Sequence, residues 1–302
     1  MGIKAVGSIR QQGHGWGLWG RIRRVFLPLM CVWASLLVVS PLACAADAVA
    51  GQDQAWLSRL KVFYFQDRPI DETSQLIQLT APDRAEDGAL VPITVAASIP
   101  QTDERYIKTL HLIIDNNPNP LAGKFTLTPL LGKADLALLI RVDAYSPVRV
   151  VAETNDGKLH MSSKFVKASG GCSAPARDTD MSKRLGDLRF SAISPENMSP
   201  ANPVQTRLSI QHPNVSGLQK DQVTTLFIPP RYVKSVEVRL NDEVVFSAET
   251  DISISENPNF QFYLAPDKSG ILTAVVTDTD GQVFTHRQVV GQAGATLPQP
   301  TN

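Results

Sequence analysis

Among the side chains that could form or break a covalent bond, Cys172 is set apart by its surroundings. It lies in the run Ser169-Gly170-Gly171-Cys172-Ser173-Ala174-Pro175-Ala176, and the other two cysteines, Cys31 and Cys44, both fall near the N-terminus. A thiol acts as a nucleophile through its thiolate, and a free cysteine ionises near pH 8.5. Two glycines before the sulfur and small residues with a proline after it describe a mobile, sterically open backbone. A buried structural cysteine would be flanked by strand residues. The sequence therefore predicts a solvent-presented thiol, Cys172, on a flexible arm made of Gly170, Gly171 and Ser173.

Nothing near it in sequence would make that thiol an enzyme by itself. Lys164, Lys167 and Arg177 are weak activators on a segment with no fixed geometry. A self-sufficient cysteine nucleophile needs a histidine held beside the sulfur and a third group orienting it. His111 alternates within a strand pattern, His160 and His286 sit in closing hairpins, and His212 precedes Pro213 at a strand end; all four read as structural. The metal motifs with paired cysteines or a His-x-x-x-His helix are missing, and Met161, Met181 and Met198 stand in unrelated contexts. Gly170-Gly171 lacks the strand-loop-helix setting of a phosphate loop. Asp71-Glu72 and Glu86-Asp87 read as solvated loop carboxylates. No cofactor, metal or catalytic residue is expected, and the chain reads as a non-enzyme. What remains is a thiol able to enter another protein's active site, where the host supplies activation and orientation.

The N-terminus argues for export. Arg21, Arg23 and Arg24 precede an apolar run from Val25 to Val39, followed by Ala43-Cys44-Ala45. That order reads as a cleaved signal over residues 1–45, and the run is shorter than the roughly 20 residues a spanning helix needs. Arg23-Arg24-Val25-Phe26-Leu27 resembles a twin-arginine export motif. Pro41-Leu42-Ala43-Cys44 is a poor lipoprotein box. The segment takes Lys4, Arg10 and the three arginines with it and no acidic residue, leaving the mature chain net acidic. That balance argues against nucleic acid or an anionic membrane surface as partner, and it leaves Cys172 without a disulfide partner.

The elements that must position Cys172 read as β structure on either side of it. Trp56, Leu57, Leu60, Phe63 and Tyr64 make one apolar face of a short N-terminal helix. Strand patterns follow at Leu76–Thr80, Leu90–Ile99, Tyr106–Asp115, Lys124–Thr128, Leu136–Ala144, Val148–Thr154 and Leu159–Val166, with turn residues between them. Residues 169–203 break the pattern, with one apolar patch at Leu188, Phe190 and Ile193. Strands resume at Val204–Gln211, Val223–Ile228, Ser235–Leu240, Val244–Ala248, Phe260–Leu264, Leu272–Thr277 and Val283–Val290, with Asn241-Asp242 as a hairpin turn. The sequence predicts an all-β chain: two immunoglobulin-like antiparallel β-sandwich domains over 46–168 and 204–290, joined by a flexible linker over 169–203, with a disordered tail over 291–302. The halves echo each other, since Val150–Gly157 resembles Val275–Gly281 and Asn117-Pro118-Asn119 resembles Asn257-Pro258-Asn259.

These motifs resemble a known pair. The strand followed by Ser169-Gly170-Gly171-Cys172 is similar to the end of SoxY, the sulfur-carrier subunit of periplasmic thiosulfate oxidation. Residues 204–290 resemble its partner SoxZ, above all in Ser209-Ile210-Gln211-His212-Pro213, Val236-Glu237-Val238-Arg239-Leu240-Asn241 and Asn257-Pro258-Asn259-Phe260. Both on one chain resemble the quinoprotein-dehydrogenase-associated SoxYZ-like carriers. The resemblance implies a periplasmic protein that binds a sulfur intermediate covalently on Cys172. It implies as partners periplasmic redox enzymes, a quinoprotein (alcohol) dehydrogenase and c-type cytochromes among them. The alternative is a binding or assembly module for such a dehydrogenase, with Cys172 incidental. SoxY carries glycines on both sides of its cysteine and ends there, whereas here Ser173-Ala174 follows and the chain continues. A flexible linker of about 35 residues still spans roughly 30 Å, enough to present the thiol on a loop.

Overall fold

A computed structural model describes residues 53–175, 184–191, 202–265 and 270–290. The export signal expected over 1–45, with Cys31 and Cys44, lies outside the described residues, as do the tail expected over 291–302 and residues 176–183 and 192–201 of the expected linker. No described helix is long and apolar enough to cross a membrane. In the first half the strands are β1 (Ile70–Asp71), β2 (Ile77–Thr80), β3 (Val91–Ala97), β4 (Ile107–Ile114), β5 (Leu121–Leu127), β6 (Leu136–Ile140), β7 (Ser146–Thr154) and β8 (Leu159–Val166). In the second half they are β9 (Leu188–Ser191), β10 (Val204–Ile210), β11 (Val233–Leu240), β12 (Glu243–Thr250), β13 (Asn259–Leu264), β14 (Gly270–Asp278) and β15 (Val283–Val290).

These strands build the expected two sandwiches, and the sheets run through both. One sheet has the order β1-β8-β7-β4-β5-β12-β11-β14-β15 and the other β2-β3-β6-β13-β10-β9. Edge strand β5 of the first half pairs antiparallel with edge strand β12 of the second, from Leu127↔Phe246 to Gly123↔Thr250. On the opposite layer β6 meets β13 at Ala137↔Gln261, and Ile140 bridges to Ile254 just beyond. The strand order thus reverses about the junction, each half contributing a four-plus-three arrangement to which the first half adds the short edge strand β1. Apolar residues at alternate positions, as in β2 and β13, point between the layers into one core that spans both halves. Phe125 of β5 packs edge-to-face on Phe260 of β13 across the junction, ring centroids 6.1 Å apart.

The echo between the halves has a structural counterpart. Both closing hairpins turn through a left-handed glycine, Gly157 (φ 83°) and Gly281 (φ 79°). Asn155 N–H donates to Tyr106 O and Thr279 N–H donates to Tyr232 O, at 3.0 and 2.9 Å. The Asn241-Asp242 turn closes β11 onto β12 with Leu240 opposite Glu243, Asn241 taking φ 54°.

Three local expectations change. The N-terminal helix begins with a π-helical turn over Trp56–Leu60 before α1 (Lys61–Phe65), and Lys61 N–H bonds Trp56 O. The wider turn advances the buried face to Trp56, Leu60 and Phe65, leaving Leu57 and Phe63 exposed. Val223–Ile228 is no strand. Asp221 Oδ1 accepts the N–H groups of Val223 and Thr224, so the chain turns and Val223 is 91% exposed. Two short strands escaped the pattern: β1, which pairs parallel with β8, and β9, which pairs with β10 inside the expected linker.

The helix docks on the outer face of β4, β7 and β8 through Trp56, Leu60 and Phe65 against Ile113, Val151, Leu159 and Met161. That cover explains why β7 is buried on both faces. Phe65 meets the His111 ring edge-on at 5.1 Å, and burial pushes the His111 imidazole down to about 4, with Lys124 adding to the effect. Its folded pKa is depressed, so this stability is present above the unfolded value near 6.5 and is lost as pH falls toward 4. Urea unfolding is expected to show a loss on the order of 2 kcal/mol between pH 7 and pH 5 from this group. His111→Gln should flatten that slope; an unchanged slope would show that His111 does not carry it.

Candidate functional site

Strand β6 ends at Ile140, four residues short of its apolar pattern, because Arg141 and Asp143 interrupt it. Their backbone is captured on both sides. Arg141 N–H donates to Ser253 O at 2.7 Å and Val142 N–H donates to Gly88 O at 2.7 Å. The buried Asn117 amide fixes the turn, its Nδ2 donating to Arg141 O and Ser253 Oγ (both 2.8 Å) and its Oδ1 accepting Asp143 N–H at 2.9 Å. This corner lies where the first half meets the second.

The cysteine segment lies in that corner. Gly170 N–H donates to Asp143 O at 2.8 Å, Gly171 N–H to Val142 O at 3.1 Å, and Cys172 N–H to Asp143 Oδ1 at 3.1 Å. The glycines are required by space. A Cβ on Gly171 would fall well inside contact of Gly88 O and 2.7 Å from Val142 O, and one on Gly88 would sit 2.6 Å from Ser169 O. Gly170 is in the left-handed region at φ 70°.

The second half closes over the segment. Ser216 Oγ donates to Cys172 O and Gln219 Nε2 donates to Ala174 O at 2.8 Å. Arg141 ties the pieces together, with Nη1 donating to Gly171 O (3.0 Å) and Nη2 to Asn214 O (3.3 Å). Asn214 in turn holds the His212 ring, and His212 Nε2 lies 3.5 Å from Asp278, which Arg231 also pairs. A chain of buried polar groups therefore runs from the cysteine segment deep into the second half. Such networks are stabilising when satisfied and costly when broken.

Cys172 has no exposed surface. Burial, then the carboxylate of Asp143, push its thiol up to about 12, while Arg141 pulls the other way and Asp251 adds to the rise. At neutral pH it is wholly protonated.

Residues 62–172 match the family model for the sulfur oxidation protein SoxY, and residues 193–289 match that for the sulphur oxidation protein SoxZ. The chain belongs to the SoxY and SoxZ family, as a fusion of the two. No curated protein matches it. Among solved structures, the sulfur carrier protein SoxY from Chlorobium limicola f thiosulfatophilum is 29% identical, covering 40% of this chain and 99% of that one at a TM-score of 0.33. A β-glycosidase from Bacteroides vulgatus is 7% identical, covering 72% of this chain and 25% of that one at 0.22. A glycosyl hydrolase family 2 member from Bacteroides cellulosilyticus is 9% identical, covering 70% and 28% at 0.22.

The SoxY and SoxZ halves account for the placement of each expected site residue. Cys172, Gly170, Gly171 and Ser173 do lie together at the end of the SoxY half, but the expected solvent-presented thiol on a mobile arm is not what the structure holds. The sulfur is buried and the segment is hydrogen-bonded at every residue from Gly170 to Ala174, with Ser173 Oγ donating back to Gly170 O at 3.3 Å. The two glycines, expected to give the arm freedom, serve close approach to Gly88 here. His111, His160, His212 and His286 are not among the groups that act on the sulfur. Sequence reasoning passed over Arg141, Asp143, Asn117, Ser216 and Gln219. The charged pair inside an otherwise apolar strand pattern was the available signal for the first two.

The slot makes two measurable statements. Iodoacetamide at pH 8 should label Cys172 at least about 100-fold more slowly in the folded protein than in urea, because so little thiolate forms. Gly171→Ala should expel the segment and raise the labelling rate at least about 10-fold while the sandwich core stays folded. If Gly171→Ala labels as slowly as wild type, the steric account of the glycines is wrong.

Proposed function

We propose that the protein is a periplasmic carrier that holds a sulfur intermediate covalently on Cys172 and delivers it between partner redox enzymes without catalysing a reaction itself. The observation that carries this reading is that the SoxY match ends on Cys172, the residue the SoxZ half closes over. The solved SoxY of Chlorobium is described as a sulfur carrier protein. The partners in this reading are a quinoprotein dehydrogenase system and its c-type cytochromes.

Loading requires the segment to leave the slot, since a thiol held at about 12 is inert at neutral pH. Released, it returns toward its ordinary value near 8.5, which raises the thiolate fraction by roughly three orders of magnitude. The thiolate then joins the cargo sulfur in an S–S bond, two electrons pass to the partner's redox centre, and the thiol proton goes to solvent. Gly170 and Gly171 supply the backbone freedom for that movement, and Ser216, Gln219 and Arg141 supply the contacts that must be broken.

The burial of the thiol favours a second reading: a binding or assembly module for the dehydrogenase in which Cys172 is a packed core residue. One experiment separates the two. Intact mass of protein recovered from the native export compartment is expected to show a sulfur adduct on Cys172, and Cys172→Ser is expected to abolish the dependent oxidation. Unmodified protein under all growth conditions, with full function in Cys172→Ser, would leave only the module.

A further inference from the structure

The slot at the SoxY–SoxZ junction fits one chemical state of Cys172, and the residues around it show which. The sulfur has no exposed surface. The backbone on which it sits is packed against Gly88 and Val142 without room for a methyl group at Gly171. The charged groups that act on the sulfur are Asp143, Arg141 and Asp251. Two of these three are carboxylates. Asp143 is also fixed in place, because its Oδ1 accepts the Cys172 N–H at 3.1 Å.

Arg141 is the one cation of the three, and two of its three nitrogens are engaged. Arg141 is 1% exposed; its Nη1 and Nη2 donate to Gly171 O and Asn214 O, and its Nε is buried without a hydrogen-bond partner. It holds the segment to the second half, and its charge offsets only part of the opposition that burial and the two carboxylates set against a charge on the sulfur. Burial disfavours an anion unless it is fully paired, and here two carboxylates oppose it further.

We infer that the slot is an inhibitory latch keyed to charge: it retains the segment while Cys172 is a neutral thiol and expels it once the sulfur carries an anionic group. Loading is thereby coupled to display. The empty carrier hides its thiol, and attachment of a negatively charged cargo breaks the contacts of Ser216, Gln219 and Arg141 and leaves the cargo outside. This rests on reading Cys172 as the attachment residue.

The test compares two adducts of equal size. Full-length protein carrying Cys31→Ser and Cys44→Ser is alkylated at Cys172 in urea with iodoacetamide, which leaves a neutral carbamidomethyl group, or with iodoacetate, which leaves an anionic carboxymethyl group; iodide departs in both. After refolding, hydrogen exchange is followed at the amides of Gly170, Gly171 and Cys172, with strand amides of β4 and β11 as the control for folding. The carboxymethyl protein is expected to exchange at these three amides at least about 10-fold faster than the carbamidomethyl protein, with strand protection unchanged. Asp143→Asn should narrow that gap. Equal exchange in the two adducts, or protection of the carboxymethyl form as strong as that of the free thiol, would overturn the latch. The adducts are installed chemically, so this outcome is separate from the carrier reading, which stands or falls on the adduct found in native protein.

Discussion

Two edge strands that meet decide the shape of this molecule. A sandwich with open edges at β5 and β6 presents unpaired N–H and C=O groups, and such edges invite pairing with another chain. Here the partner is supplied by the same chain. β12 covers β5 and β13 covers β6, so both sheets continue and the apolar layer between them runs on unbroken. The junction also forces the loops that follow β6, β10 and β12 into one corner, where Arg141, Asn214 and Ser253 come within hydrogen-bonding distance of each other's backbone.

That corner gives the cysteine segment a place to lie. A loop packed there must satisfy its amides and carbonyls without water, since unpaired backbone groups are rarely buried. The Gly170–Ala174 run does so with Asp143 and Val142 on one side and Ser216, Gln219 and Arg141 on the other. The contacts are divided between the SoxY and SoxZ halves. Holding the thiol therefore takes both halves, and neither has the full set of donors. It also joins the thiol's chemistry to the packing of the second half, because Asn214 links Arg141 to His212 and Asp278.

A glycine pair has two physical uses, and this chain shows both in one place. Without a Cβ, backbone can turn freely, and backbone can also approach other backbone closely. Gly171 against Gly88 is the second use in the closed slot. The same two residues are what would let the segment swing out.

From the chain alone, the β architecture was legible because alternating apolar residues and Gly, Pro, Asn and Asp breaks mark strands and turns locally. Seven strand patterns of the first half correspond to β2 through β8, and those at Val204, Ser235, Val244, Phe260, Leu272 and Val283 to β10 through β15. Local pattern failed where a side chain redirected the backbone, as Asp221 does before Val223, and where a strand was too short to show a period, as in β1 and β9. The identity of Cys172 as the odd thiol, its glycine neighbours and the two-part family pattern were also written in the sequence. Whether the sulfur faces water was not, because burial of a loop depends on what folds over it, and Asp143, Ser216 and Gln219 lie from 29 to 47 positions away along the chain. Residue type named the atom that can react; only the meeting of the two sandwiches decided that, in this structure, it is closed off and protonated.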